Sequence, residues 1–127
     1  MRQLITSDKG PSPRFGYTPC VKSGPLGFVS GMVALDPATG ALVEGDAGAQ
    51  TQRIFDNLLL ALPDYGFTLE QLCMARIYTT QMERFAEINA AWERQFASVA
   101  PPARTSVGVS QLPLGALVEI EFCFPKS

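Results

Sequence analysis

Apolar residues recur along this chain with two periods, and the switches between them mark out the elements. Residues 2–6 predict a short strand, and residues 9–18, which hold Gly10, Pro11, Pro13 and Gly16, read as a loop. Residues 21–33, with Phe28-Val29-Ser30-Gly31-Met32 inside them, predict strands around a Gly24-Pro25 turn. Asp36-Pro37-Ala38-Thr39-Gly40 predicts a turn between two strands. The period then lengthens. Ile54, Leu58, Ala61 and Leu62 make one helical stripe, so a helix is expected over 47–65, with Asp46 as its cap, Pro63 near its end and Gly66 closing it. Residues 72–80 return to a strand. A second helix is expected over 83–99, with Phe85, Ile88, Trp92 and Phe96 facing inward, and Pro101-Pro102 stops it. Residues 105–109 and 117–124 supply the last two strands.

The resulting order, β-β-β-α-β-α-β-β, predicts a single α+β domain over 1–127, with two helices on one face of a mixed sheet. The last strand shows where the other face must be considered. Val118, Ile120, Phe122 and Phe124 point one way and are core; Leu117, Glu119, Glu121 and Cys123 point the other. The second set mixes apolar and acidic groups, as suits a face that meets a partner subunit and a pocket. Composition agrees: only 17% of residues are charged while 46% are hydrophobic, which leaves little polar material to cover a chain of 127 residues.

Charge and chemistry narrow the function classes. The net charge of −2 argues against nucleic acid and anionic membrane as partners. The opening residues have no apolar run of the signal-peptide kind, and no stretch is long enough to span a bilayer, so a cytoplasmic location is expected. Cys20, Cys73 and Cys123 are odd in number and widely spaced, which argues against a disulfide framework, and Cys73 is expected in the core. Histidine is absent, which excludes Ser-His-Asp and Cys-His catalysis and nearly every zinc site. Acid–base work therefore falls to Glu, Asp, Tyr, Lys or a thiol.

Two charges stand where charges are uncommon. Arg104 precedes an apolar strand, and Glu119 lies inside the next one. A guanidinium fork suits a small carboxylate, and a half-buried glutamate suits water activation. The plainer readings are a surface salt bridge for Arg104 and an edge-strand or interface ion pair for Glu119. Tyr17 reads as a loop anchor and Ser30-Gly31 as a β-bulge. Asn89 hints at a polar pocket beside the second helix.

The segments Phe28 to Val43, Gln50 to Leu58, Phe85 to Phe96 and Pro101 to Glu121 together resemble the RidA/YjgF family of enamine/imine deaminases, in order and across nearly the whole chain. The resemblance implies a chorismate-mutase-like homotrimer with active sites between subunits. It implies hydrolysis of 2-imino acids or their enamine tautomers (2-aminoacrylate type) to 2-oxo acids and ammonia, without cofactor or metal. It assigns Arg104 to the substrate carboxylate and Glu119 to the attacking water. Tyr17, Ser30, Gly31, Asn89 and Ser106 become pocket residues, with Tyr17 reaching across the interface. Five departures, Ser106 among them, sit at the pocket rim: Arg14 and Phe15 replace smaller residues, Gly16 stands where proline is common, and Met32 replaces glutamine. Ser106 stands where many members have cysteine. The alternatives are a related deaminase acting on another catabolic metabolite, and a non-catalytic trimeric protein that binds carboxylate ligands or acts like a chaperone.

Overall fold

The computed structural model describes residues 1–13 and 15–125. Six strands, β1 (Gln3–Ile5), β2 (Cys20–Ser23), β3 (Leu26–Met32), β4 (Met74–Thr79), β5 (Ala103–Gly108) and β6 (Val118–Pro125), form one sheet in the order β1-β2-β3-β6-β4-β5. Helix α1 (Ala47–Tyr65) joins β3 to β4, and α2 (Phe85–Gln95) joins β4 to β5. β6 runs antiparallel to both β3 and β4, and β4 runs parallel to β5, so β3, β4 and β5 share one direction. Each helix is thus a crossover between parallel strands, and both crossovers step the same way along the sheet. The right-handed preference of such crossovers then places both helices on the same face. This is the two-layer α+β arrangement expected from the sequence.

Local chemistry sets the helix limits. The Asp46 carboxylate accepts the Ala49 amide at 2.8 Å, and Gly66 ends α1 in the left-handed region at φ 81°, with its amide on the Leu62 carbonyl. The second helix is shorter than expected, because a 3₁₀ turn at Met82–Arg84 precedes it and Phe96 caps it. Around the Asp36–Gly40 turn the expected strand pair shrinks to one bridge, Leu35 to Leu42, because the chain enters α1 soon afterwards.

The core lies between helices and sheet. Phe55 of α1 meets Trp92, Phe96 and Phe122 edge-on, with ring centroids 5.8, 5.7 and 5.8 Å away, and so ties α1, α2 and β6 together. Ala75, Ile77, Val118, Ile120, Phe122 and Phe124 are buried beneath the helices. The alternation predicted for the last strand is therefore observed. Cys73 departs from expectation. It is exposed, because β4 begins one residue later and Leu72 takes the neighbouring core position; its thiol donates to the Cys123 carbonyl at 3.0 Å.

Among the described residues, no helix packs on the opposite face of the sheet. Leu4, Leu26, Phe28 and Val107 are exposed, and pairing register puts Leu4 and Phe28 on the face that bears Cys123, and Val107 on the face that bears Glu119. Among the described residues, no helix is long and apolar enough to cross a membrane.

Candidate functional site

A cavity of about 390 Å³ opens between β3, β6, the loop before β2 and the end of α1, and Glu119 enters it from the helix-free face. Tyr17, Ser30, Gly31 and Glu119 all line it, together with Phe15, Met32 and Leu114. Its construction begins with a bulge. The β3–β6 register shifts between Val29 and Met32: three steps on β3 oppose two on β6. The extra residue brings Gly31 against Glu119. A methyl built on Gly31 would stand 2.7 Å from the Glu119 carboxylate oxygen Oε2, so only glycine leaves room for the carboxylate there. Ser30 ties in the loop: its hydroxyl donates to the Thr18 carbonyl at 2.7 Å and its amide to the Pro19 carbonyl at 2.9 Å. Ser30 thereby fixes the segment that carries Tyr17.

Glu119 is half-buried, and no hydrogen bond or ion pair from another described residue reaches its carboxylate. Its neighbour Glu121 is engaged: the Tyr78 hydroxyl donates to it at 2.5 Å and Arg76 stands 4.0 Å away. Burial, and after it the negative charge of Glu121, push the Glu119 carboxyl above the ordinary glutamate range. Burial, and after it Glu119, push the Tyr17 phenol up too, so that Tyr17 keeps its proton as a donor. Burial foremost pushes Tyr65, at the cavity wall, up to about 12. The site thus holds one unengaged carboxylate with raised proton affinity, and phenols that remain protonated.

Arg104 is elsewhere. It pairs with Ala75, and Ala75 with Phe122, so it belongs to the helix side of the sheet; Glu119 pairs with Tyr78, and Tyr78 with Val107, on the opposite side. Arg104 is exposed on edge strand β5. Its Nη1 donates to Asn89 Oδ1 at 2.9 Å, and its guanidinium carbon stands 4.9 Å from the Trp92 ring centroid and 5.4 Å from that of Phe85. Asn89 in turn donates to Glu93 at 2.7 Å. No carboxylate among the described residues pairs with Arg104, so an intrachain salt bridge does not explain it. Ser106 follows two residues on, on the same side of β5. The seven candidate residues therefore form two sets on opposite faces: Tyr17, Ser30, Gly31 and Glu119 in the cavity, and Asn89, Arg104 and Ser106 by the β5 edge.

Some contributors escaped the sequence reading. Leu114 lines the cavity from a 3₁₀ turn (Pro113–Gly115) with φ 62°, the left-handed region. Tyr65 was read only as the end of α1. Buried Gln50 accepts the Leu117 amide at 2.9 Å and buried Thr79 donates to the Leu117 carbonyl at 2.7 Å, which together fix the start of β6 and so the height of Glu119. The only signal for Leu114 was the Pro113-Leu114-Gly115 turn itself. Of the rim departures, Phe15 and Met32 do line the cavity. Gly16 adopts φ 76°, a conformation closed to proline, so the loop follows a path that a proline there would forbid. Arg14 lies outside the described residues. Among the described residues no group of three or more His, Cys, Asp or Glu could hold a metal ion.

A mixed six-stranded sheet with two helices on one face, and an acidic cavity on the other, define a class of small α+β proteins. Comparison supplies the family. The family profile described as Endoribonuclease L-PSP matches residues 7–124. A RutC family protein of Aquifex aeolicus is 39% identical over 127 residues, 99% of this chain and 100% of its own length. The protein DfrA of Myxococcus xanthus is 38% identical over 122 residues, covering 94% of this chain and 92% of DfrA. Among solved structures, a Rid-family protein of unknown function from Yersinia pestis, YyfA, superposes with a TM-score of 0.92 at 30% identity, covering 98% of this chain and 99% of that one. The chain belongs to the YjgF/RidA family.

Proposed function

We propose that this protein hydrolyses 2-imino acids or their enamine tautomers, of the 2-aminoacrylate type, to 2-oxo acids and ammonia. Membership of the Rid family is consistent with that activity. The observation that carries the reading is Glu119: an unengaged carboxylate of raised proton affinity, seated on Gly31 in a largely apolar cavity. In the reaction, Glu119 takes a proton from water as the water oxygen bonds to the imine carbon. With the imine protonated on nitrogen, this addition gives the neutral carbinolamine; Glu119 returns its proton to that nitrogen, then takes the carbinol O–H proton as the C=O forms and the C–N bond breaks, and ammonia leaves with the 2-oxo acid behind. The protonated Tyr17 phenol is a donor within the same cavity. An imine carbon is already electrophilic, so placement of water and substrate supplies most of what the step needs.

Arg104 is the carboxylate clamp in this reading, held by Asn89 and stacked over Trp92. Because Arg104 and Glu119 lie on opposite faces of one sheet, one copy cannot bring both to a single substrate. In this reading a second copy presents its Arg104, Asn89 and Ser106 edge to the first copy's cavity. The uncovered apolar face, with Leu26, Phe28 and Val107 exposed, supports such an assembly, and a homotrimer closes it symmetrically. In this reading Tyr17, Ser30, Gly31 and Glu119, which line one cavity, come from one copy, and Tyr17 and its cavity face the other copy's Arg104 across the interface.

The reading is tested by generating imines in situ with an amino-acid oxidase and following ammonia release above the spontaneous rate, with light scattering on the same sample. Acceleration by a species of about three chains is expected. Carboxylate binding without acceleration would favour a non-catalytic ligand binder instead.

A further inference from the structure

Resting on the deaminase reading, we infer that the site is built for 2-imino acids with a large apolar side chain, branched aliphatic or aromatic, and that Leu114, Phe15 and Met32 set this preference. The cavity, about 390 Å³, falls in the range of sites that enclose drug-sized ligands. That is the cavity of one copy, on the side where a second copy's edge would meet it. Beyond the Glu119 end, the wall is apolar: Pro13, Phe15, Met32, Val33, Leu35 and Leu114 line it. Among the described lining residues Glu119 alone is charged, and apolar side chains outnumber the polar Ser12, Tyr17, Ser30 and Tyr65. Ser30, the polar group nearest the bulge, already donates its hydroxyl to Thr18.

Leu114 makes the case specific. It is the only non-glycine with positive φ among the described residues, at φ 62° and ψ 16°. Glycine or asparagine would sit there without strain, whereas leucine does so at a cost. Nor does core packing account for it, since the side chain is 41% exposed. What the leucine does is carry apolar surface into the cavity lining. Phe15, 65% exposed, lines the same cavity from the loop that Ser30 anchors. Leu114 is thus a strained, part-exposed apolar side chain at the cavity, where a ligand side chain would cover it.

The experiment compares kcat/KM for imines made in situ from phenylalanine and leucine with that for the imine from alanine, in wild type and in Leu114→Gly and Phe15→Ala variants, with thermal denaturation alongside. An added methylene in an apolar pocket is worth roughly 10-fold or more, so wild type should favour the larger imines by at least about 10-fold. Leu114→Gly should reduce that ratio by about 10-fold, chiefly through KM, while its Tm holds or rises because the strained leucine is gone. Phe15→Ala should move the ratio the same way. Faster turnover of the alanine-derived imine by wild type, or a ratio that neither variant moves, overturns this inference and leaves deamination standing. Hydrolysis of none of the imines overturns both.

Discussion

Replacing Gly31 by alanine isolates the placement of Glu119 from everything else. The Gly31 backbone is outside the left-handed region, so alanine meets no conformational barrier there. Its methyl, however, would lie 2.7 Å from Oε2, 3.0 Å from the carboxyl carbon and 3.3 Å from Cγ of Glu119. Comfortable contacts between such atoms are about 3.5–4.0 Å, so the carboxylate must retreat by roughly 1 Å. The obstacle is the far end of a flexible side chain, which moves without disturbing the sheet. Stability should therefore change by under about 1 kcal/mol, partly offset by the lower entropy of the unfolded alanine chain. Catalysis should not be so tolerant: a displacement of about 1 Å costs on the order of 10²-fold in rate. The assay is kcat/KM on an oxidase-generated imine, with thermal denaturation and calorimetric binding of a 2-oxo acid beside it. A cycle with Glu119→Gln sharpens it. In the glutamine background, Gly31→Ala should cost little further, because the group it misplaces no longer takes a proton. Unaltered kcat/KM in a folded Gly31→Ala protein would refute the reasoning, and so would losses that simply add in the double variant.

Four other outcomes are expected. The rate should fall on acidification through the raised pKa of Glu119, so the acid limb lies above the ordinary glutamate range, and Glu119→Gln should lower turnover by about 10²-fold or more and abolish that limb. Stability follows the same shift with opposite consequence: the folded chain holds this proton more tightly than the unfolded one, so stability declines as pH rises from the ordinary glutamate pKa through the raised one. Glu119→Gln should therefore have the higher Tm above that window and lose the advantage below it. Arg104→Lys keeps the charge but loses the fork and the guanidinium contact over the Trp92 ring, and should lower kcat/KM by about 10²-fold with 2-oxo acid affinity falling in parallel and Tm little changed. Gly27→Ala is a stability test away from the site. A methyl there would lie 2.3 Å from Cζ of Phe67, a ring stacked on Phe124 at 4.6 Å, and the overpacking should cost about 1–3 kcal/mol in denaturant titration.

Elements with long, clean periods were legible in the sequence. The α1 stripe of Ile54, Leu58, Ala61 and Leu62, its Asp46 cap and Gly66 terminus, and the two-faced alternation of β6 all appear as expected, because burial on one side enforces the period. The bulge at Ser30-Gly31 was legible as a local signal, and its purpose, room for the Glu119 carboxylate, needed the β3–β6 register. Cys73 was misplaced because an apolar run does not reveal where its strand begins. Leu114 was not anticipated, since a residue strained by its surroundings contradicts local preference by definition. The separation of Arg104 from Glu119 was equally hidden. It follows from which strands pair, and the parallel β4–β5 contact is a property of topology that spacing along the chain does not encode.

The central claim is that one site draws Glu119 from one copy and Arg104 from another. Mixing two inactive variants tests it directly. Glu119→Gln and Arg104→Lys chains are purified separately, unfolded together in equal amounts, refolded and assayed for ammonia release from an oxidase-generated imine. A site shared between copies finds both native residues in about a quarter of random pairings, so the mixture should regain about a quarter of wild-type activity although neither variant alone is active. Sites contained within single chains would stay inactive in every pairing, and a mixed assembly with no recovered activity would contradict the account.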